Sequence, residues 1–261
     1  MLRQPLLLAL ATGARAPRRV FSSAVADERA VASLVMRQAT SLPAMKRDRL
    51  SIIVNVVVLV VVAYALLRPS GPVGARLAEW NQERRRDRIL ATSWSTVADG
   101  SRLDSSSAPI ALVEFSDYEC PYCRQQHTVL SASIAAGRSQ GVAFRHLPLA
   151  IHPRARGAAL AAICADRVGR FVPMHERLFT TTTWIADTNW VREALASGVT
   201  DTATFTACMR GRSAQERLES DVALARDLGI KGTPTFISPH EYYEGVLPES
   251  TAVRMMSRSG S

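Results

Sequence analysis

The longest apolar run in the chain extends from Leu50 to Leu67, 18 residues without a charged side chain between Arg49 and Arg68. As an α-helix these residues extend about 27 Å, close to the hydrocarbon thickness of a bilayer. The alternative is a buried strand or a core helix. Strands seldom exceed about ten residues, and neither element is usually bounded by charges at both ends. The pattern therefore predicts a single transmembrane helix over residues 50–67.

The polar and apolar positions after this run predict a linker and then one folded domain. A segment rich in Pro and Gly (69–74) precedes Arg76–Leu90, whose dense Arg and Glu predict a solvated helical stalk with few apolar contacts. We expect four parts: a basic N-terminal arm (1–49), the transmembrane helix (50–67), the stalk (68–92) and the folded domain (93–261).

Short apolar runs within the folded domain have the length of strands. They cover residues 110–116, 142–147, 233–238 and 243–247. About 85 residues between the second and third runs carry helical periodicity instead, over 154–168, 171–179, 190–196, 203–209 and 213–228. Since a simple crossover needs only one helix, the pattern predicts an α/β domain with an inserted helical subdomain at about residues 150–230.

The positive charge of the chain is concentrated at its N-terminus. The net charge is +9, and residues 1–50 hold nine Lys or Arg against three acids, which leaves only +3 for the other 211 residues. The folded domain therefore lacks the surplus that would coat a phosphate backbone, and we expect no nucleic-acid partner. Residues 1–44 fit a transit peptide or a cleaved signal, and Met45 fits an alternative start directly before the span.

The sequence contains a Cys-x-x-Cys motif, Cys120-Pro-Tyr-Cys123, which follows a predicted strand and begins a predicted helix. This spacing lets the two thiols close a disulfide ring across the first helical turn, where free N–H groups and the helix dipole stabilise a thiolate. We expect Cys120 to be the exposed, acidic thiol and Cys123 the buried resolving thiol. Pro121 suits the first helical turn, where its missing N–H costs nothing.

A Cys-x-x-Cys pair is also half of a zinc site, which needs two further ligands. No His lies at ligand spacing, and the five His residues fit helix, strand-end or loop positions. The strand before the pair and the helix after it favour a redox site. We expect neither a metal nor a cofactor.

Four segments of the domain carry a more specific pattern: VEFSDYECPYC (113–123), FRHLPL (144–149), MHERLF (174–179) and GIKGTPTFI (229–237). Together they resemble the DsbA-like thiol:disulfide oxidoreductases of the thioredoxin superfamily, over about residues 93–250. The resemblance implies a thioredoxin fold with a helical insertion. It also implies that Thr233-Pro234 is a cis-proline loop facing the disulfide, which spacing alone does not show.

The resemblance places an acid at Glu114, beneath the active site, although periodicity alone also permits a solvent carboxylate on an edge strand. Its charge is expected to raise the pKa of nearby thiols, and its carboxylate to accept the proton of Cys123. Two features depart from the family. Tyr122 is uncharged where some oxidising members have a His, which predicts a weaker oxidant, and the short segment after Leu247 predicts a truncated or frayed closing helix.

The remaining two cysteines, Cys164 and Cys208, both lie in the predicted helical insertion. Four cysteines in total suit an oxidising compartment, so we expect these two to form a disulfide. The alternative is a pair of buried reduced thiols that act as small hydrophobic side chains.

These features predict a membrane-anchored thiol:disulfide oxidoreductase with its catalytic domain outside the cytoplasm, in a bacterial cell envelope rather than a mitochondrion. An oxidase of secreted proteins, recycled by a membrane redox partner, is the first hypothesis. A disulfide reductase or isomerase is the second. A membrane-tethered, chaperone-like binding module with incidental thiols is the third.

Overall fold

A mixed β-sheet lies at the centre of the computed structural model, which describes residues 49–139 and 141–258. Within those residues the sheet has five strands in the order β1-β3-β2-β4-β5, and only β2 and β3 are parallel. The strands are β1 (Ser101–Arg102), β2 (Leu112–Ser116), β3 (Val142–His146), β4 (Thr235–Ile237) and β5 (Tyr242–Glu244). The two-residue strand β1 was not predicted, because two residues carry no periodicity.

The other regular elements of the described chain are helices, and together with the sheet they confirm the expected α/β, thioredoxin-like fold. A parallel pair needs a crossover, which α3 supplies between β2 and β3. Helices α4 to α9 form the predicted insertion between β3 and β4. The bounds are α1 (Arg49–Leu67), α2 (Pro72–Ala98), α3 (Pro121–Ala135), α4 (Ala155–Asp166), α5 (Phe171–Thr180), α6 (Thr183–Ala186), α7 (Trp190–Ala196), α8 (Thr202–Arg210), α9 (Arg212–Leu228) and α10 (Glu249–Ser257).

The alternation of side chains along β2 divides the core between the two faces of the sheet. Leu112 packs in a large cluster with α3 and the inserted helices. Val113 and Phe115 pack in a second cluster with residues of α2 and α9. Glu114 shares the face of Leu112, opposite Phe144 and Phe236 of the neighbouring strands, so it lies in the middle of the sheet and not at an edge.

The sequence predicted that the segment before residue 93 is a solvated stalk. In the structure, part of this segment, within helix α2, contacts the folded domain. Leu90 and Val97 are buried in the second cluster, and Gln82 Nε2 donates a hydrogen bond to the carbonyl of Asp227 (2.9 Å). Leu90 follows four Arg between residues 84 and 88, and for that reason this part of the helix was predicted to be a spacer. The second half of α2 is part of the folded domain.

A buried arginine fixes the end of α2 to the sheet. Arg145 of β3 is 3% exposed and binds the carboxylate of Asp221 in α9 at 2.6 Å. The same guanidinium donates hydrogen bonds to the carbonyls of Thr96 and Val97. One buried cation therefore joins β3, α9 and the last turn of α2.

The chain divides at residue 65 into two compact units, and α1 accounts for nearly all of the described part of the first. Every side chain of α1 is exposed. The described residues contain one helical segment long and apolar enough to cross a membrane, and it begins at Arg49. The expected N-terminal arm lies outside the described residues except for Arg49, as does the alternative start at Met45.

Two further features complete the domain. Cys164 of α4 and Cys208 of α8 are joined by a disulfide with an S–S distance of 2.05 Å, which links two helices of the insertion. The closing helix α10 is formed rather than frayed between Glu249 and Ser257, because Ala252 and Met255 are buried in the main core.

Candidate active site

The paired cysteines lie where β2 has ended and α3 begins. Cys120 has extended backbone angles (φ −71°, ψ 125°) and is the N-cap of α3, with Pro121 at the first helical position. The carbonyl of Cys120 accepts the first intrahelical hydrogen bond, from the N–H of Arg124 (3.1 Å). Both cysteines are free thiols. The sequence thus places Cys120 Sγ among the unpaired N–H groups of the first helical turn.

Cys120 is only 4% exposed, so the expectation of an open thiol was wrong. The physical reason is the loop at Thr233-Pro234, whose peptide bond is cis. Cys120 Sγ lies 3.5 Å from the backbone carbonyl oxygen of Thr233. This loop covers the thiol that the helix terminus would otherwise expose.

The surroundings of Cys120 lower the pKa of its thiol to about 5. The largest cause is a hydrogen bond from the Cys123 thiol, and the backbone N–H groups of Cys123 and Tyr122 and the Thr233 hydroxyl act in the same direction. Burial opposes them. The Tyr122 side chain itself is 63% exposed, so this residue reaches the sulfur through its backbone.

The pKa of the Cys123 thiol is shifted in the opposite direction. Cys123 is fully buried, and this burial raises the pKa of its thiol strongly, with a further rise from the neighbouring Cys120. The side chains of Ser116 and Thr233 partly oppose that rise. At neutral pH the pair therefore holds one thiolate, on Cys120, and one protonated thiol, on Cys123.

Glu114 is a buried carboxyl, 2% exposed, which excludes the alternative of a solvent carboxylate. Burial raises its pKa from 4.5 to about 7, and a hydrogen bond from Ser116 opposes the rise. Ser116 therefore interacts with both Glu114 and Cys123. The charge of Glu114 adds to the rise in the pKa of Tyr118, which is due mainly to burial, but it is absent from the causes that shift either thiol.

A cavity of about 180 Å³ lies beside Glu114, lined also by His127, His175 and Glu176. The Oε1 atom of Glu114 is buried without a hydrogen-bond partner. Among the lining residues, His127 Nε2 lies 3.1 Å from the carboxylate of Glu176, whose side chain is 44% exposed. The cavity has room for several water molecules next to the unpaired oxygen.

Three histidines lie at the helix and strand-end positions that the sequence indicated, and all three are buried. His127, His146 and His175 are buried in an aromatic cluster with Tyr118, Phe144 and Phe179. The Tyr118 hydroxyl lies 3.2 Å from His175 Nδ1. Burial lowers the pKa of His146 to about 4, so this ring is neutral at physiological pH. In residues 49–139 and 141–258 no group of three or more His, Cys, Asp or Glu could hold a metal ion.

Asp117 was missed at the sequence level, although an Asp directly after a strand is a frequent turn former. Its buried carboxylate accepts hydrogen bonds from the backbone N–H groups of Glu119 and Leu149, each at 2.8 Å. His152 Nδ1 lies 2.8 Å from the same carboxylate. Asp117 thus ties the turn before Cys120 to the loop after β3.

Comparison with known proteins agrees with this geometry. The family model described as Thioredoxin matches residues 99–255, which include β2, the paired cysteines, the helical insertion and the Thr233-Pro234 loop. The chain belongs to the thioredoxin family. The expected membership of the thioredoxin superfamily is confirmed.

Solved structures share the thioredoxin-family fold. A thioredoxin-like oxidoreductase from Silicibacter pomeroyi DSS-3 is 26% identical, with a TM-score of 0.51 over 57% of this chain and 85% of the other. The thiol-disulfide exchange protein alpha-DsbA2 from Wolbachia pipientis has a TM-score of 0.58 over 69% of this chain and 97% of the other. Its identity of 16% shows a common fold alone.

Curated relatives of this thioredoxin-family chain are longer proteins. A Na(+)/H(+) antiporter, NhaA 3, from Salinispora tropica is 34% identical over 130 residues, which is 49% of this chain and 20% of that protein. A Mycolicibacterium gilvum antiporter, NhaA 1, is 31% identical over 57% of this chain and 25% of its own length. The chain spans about a fifth to a quarter of the length of these curated relatives.

Proposed function

We propose that the chain exchanges disulfides with protein substrates outside the cytoplasm, with Cys120 as the attacking and attacked sulfur and Cys123 as the resolving thiol. The observation that carries the proposal is the opposite shift of the two pKa values within one helical turn. Only a thiolate takes part in exchange, and a low pKa also makes a sulfur a good leaving group. Cys120 is such a sulfur, and Cys123 is its protonated partner.

In the oxidised enzyme a substrate thiolate attacks Cys120 Sγ. The Cys120–Cys123 bond breaks, Cys123 leaves as a thiolate and takes up a proton, and a mixed disulfide joins the substrate to Cys120. A second substrate thiolate then attacks the substrate sulfur, forms the product disulfide and releases the Cys120 thiolate. Two electrons pass from substrate to enzyme, and a membrane redox partner carrying a disulfide or quinone must accept them.

Oxidation of substrates is the direction that the site favours. A Cys120 pKa of about 5 stabilises the reduced enzyme as a thiolate, and a stable reduced form makes a strong oxidant. The absence of a His at Tyr122 does not remove this stabilisation, since the Cys123 thiol, the Thr233 hydroxyl and two backbone N–H groups supply it.

Glu114 is proposed to serve the resolving step. Cys123 must lose its proton before it attacks a mixed disulfide, and the Ser116 side chain lowers the pKa of both this thiol and the Glu114 carboxyl. With a pKa of about 7, Glu114 is poised to accept a proton near neutral pH. The Ser116 hydroxyl is buried without a hydrogen-bond partner, so it is free to bridge the two groups.

The membrane anchor is proposed from α1, whose exposed apolar side chains are suited to lipid. Anchoring and redox chemistry together favour a bacterial cell envelope, where disulfides persist. The antiport activity in the names of the curated relatives is not part of the proposal, because the chain spans so little of those proteins.

The reduction potential of the full chain in detergent tests the direction of exchange. We expect a value near the oxidising end of the thioredoxin-fold range, about −180 mV or above, together with oxidation of a reduced dithiol peptide. A value near about −270 mV would instead assign a reductase. Unchanged turnover in Cys120→Ser would leave only a binding module with incidental thiols.

A further inference from the structure

One face of helix α2 is apolar although it is turned away from the folded domain. Val73, Leu77 and Trp80 are 40%, 49% and 50% exposed. They are spaced by four and three residues, so their side chains form one stripe along the helix. Arg84 continues this stripe and Arg76 borders it. These five residues are called the Trp80 stripe below.

The opposite face of the same helix contacts the folded domain. Position 82 lies about 180° around the helix from position 73, at about 100° per residue, and the Gln82 side chain binds the carbonyl of Asp227. Ile89 packs against the second core cluster, and the guanidinium of Arg86 lies 4.1 Å from the ring centre of Tyr242. The Trp80 stripe therefore faces outward from a helix whose other face is occupied.

The charge around the stripe is positive. Residues 68–88 contain six Arg and three acids, Glu79, Glu83 and Asp87. The Arg84 guanidinium lies 4.2 Å above the ring of Trp80, so the cation and the aromatic ring form one surface feature. Arg next to Trp is the composition of protein segments that lie at a membrane surface.

The position of the stripe in the chain says which surface it would meet. Helix α2 begins at Pro72, five residues after α1 ends at Leu67. From Val73 to Arg84 the stripe extends about 17 Å, at about 1.5 Å per residue. It therefore starts immediately where the chain would leave the bilayer.

We infer that the Trp80 stripe lies in the interface of the anionic bilayer that anchors the chain, with Arg76 and Arg84 on the headgroup phosphates. The inference rests on the proposed membrane anchor and extends it. Helix α2 then lies between lipid and domain, with its outer face on the membrane and its inner face on α9. The catalytic domain is held at the membrane surface and does not hang from a flexible tether.

Trp80 is a natural probe of this arrangement. The full chain is reconstituted into bilayers of phosphatidylcholine and phosphatidylglycerol, with and without bromine on the acyl chains near the headgroups. The contribution of Trp80 is the emission of the wild type minus that of Trp80→Phe. We expect brominated lipid to remove most of this contribution and aqueous acrylamide to remove little. Strong quenching by acrylamide without quenching by bromolipid would overturn the inference.

The arginines are tested in the same bilayers. Arg76→Gln with Arg84→Gln should reduce bromolipid quenching of Trp80, whereas Arg156→Gln with Arg212→Gln, two exposed arginines of the insertion, should leave it unchanged. Equal quenching of Trp80 in pure phosphatidylcholine would contradict the role of anionic headgroups. Protection of Trp80 from both quenchers would assign the stripe to a second copy or a protein partner.

Flotation distinguishes an error in the proposed membrane anchor from an error in the proposed contact between the Trp80 stripe and lipid. Without the anchor, the chain would not co-migrate with the bilayers in flotation. With the anchor but without the stripe contact, the chain floats and Trp80 stays open to acrylamide. Neither result depends on disulfide exchange, so the proposed redox function is tested separately.

Discussion

Cys120 Sγ lies 3.5 Å from the backbone carbonyl oxygen of Thr233, although 113 residues separate the two in sequence. The whole helical insertion lies between them in the chain. The central sheet brings them together, because β4 is antiparallel to β2 and the Thr233 loop directly precedes it. Cys120 is thus flanked by a helix N-terminus and by a loop that sequence distance alone does not place there.

The Thr233 hydroxyl should help to keep Cys120 ionised. It is buried, and it contributes to the lowered pKa of Cys120. We expect Thr233→Val to raise that pKa by about one unit, since it removes one hydrogen bond to a charged group. Thiolate absorbance against pH measures the change. Thr233→Ser keeps the hydroxyl and should titrate like the wild type, and an equal rise in both variants would refute the assignment.

Glu114 should make the stability of the domain depend on pH. Its pKa is raised from 4.5 to about 7 in the folded state, so the folded state holds its proton more tightly than the unfolded chain. Protonated Glu114 therefore contributes to the free energy of unfolding. This contribution is fully present below pH 4.5 and is lost as pH rises through about 7. The loss is about 3 kcal/mol. Denaturant unfolding of wild type and Glu114→Gln should therefore show the variant relatively more stable at pH 8 than at pH 4.

Glu114→Gln should also have different effects on the two thiols, one on the pKa of Cys120 and the other on the rate at which Cys123 attacks. Glu114 does not contribute to the pKa of Cys120, so the Cys120 titration should stay unchanged, contrary to what the sequence suggested. Attack of Cys123 on a preformed mixed disulfide should slow by about tenfold or more, because the proton acceptor is gone. Ser116→Ala tests the bridge between them. An unchanged resolving rate in both variants would remove Glu114 from the mechanism.

The Cys164–Cys208 bond should stabilise the domain without serving the redox site. It closes a loop of 44 residues, for which the chain-entropy model gives about 4 kcal/mol. The double variant Cys164→Ala/Cys208→Ala should lose about this much in urea unfolding and keep its disulfide-exchange rate at low temperature. Equal unfolding midpoints for the double variant and the wild type would show that the bond is absent in solution.

Much of the active site could be predicted from local sequence. Cys120 and Cys123 follow from a Cys-x-x-Cys between strand and helix, and the limits of most helices and strands fell within about two residues of the observed ones. The cis peptide at Thr233-Pro234 needed the family resemblance, because X-Pro bonds are usually trans.

The remainder depends on contacts between distant segments. The burial of Cys120 depends on a loop 113 residues away, and the tie between Asp117 and His152 joins residues 35 apart. The sequence predicted a solvated helix around Leu90 because four Arg lie between residues 84 and 88, and only the position of α9 shows that Leu90 is buried. Cavities such as the one beside Glu114 leave no periodic signal in the sequence.

The buried ion pair of Arg145 and Asp221 should contribute strongly to the attachment of α2. Asp221→Asn leaves an uncompensated buried cation, so we expect a loss of about 3–5 kcal/mol in free energy of unfolding. The control is Asp227→Asn, which breaks the exposed pair with Arg85 and should cost less than about 1 kcal/mol. Similar losses in the two variants would contradict the role given to the buried pair.

Trapping of the mixed disulfide tests the central claim most directly. Full-length Cys123→Ser is incubated with a peptide disulfide, alkylated at low pH and digested, and the sulfur that carries the peptide is identified by mass spectrometry. The account predicts a stable adduct on Cys120, no adduct at Cys123 in the matched Cys120→Ser variant, and no turnover in either. Turnover by Cys120→Ser, or an adduct on Cys123 in that variant while Cys120 stays free in the other, would contradict it.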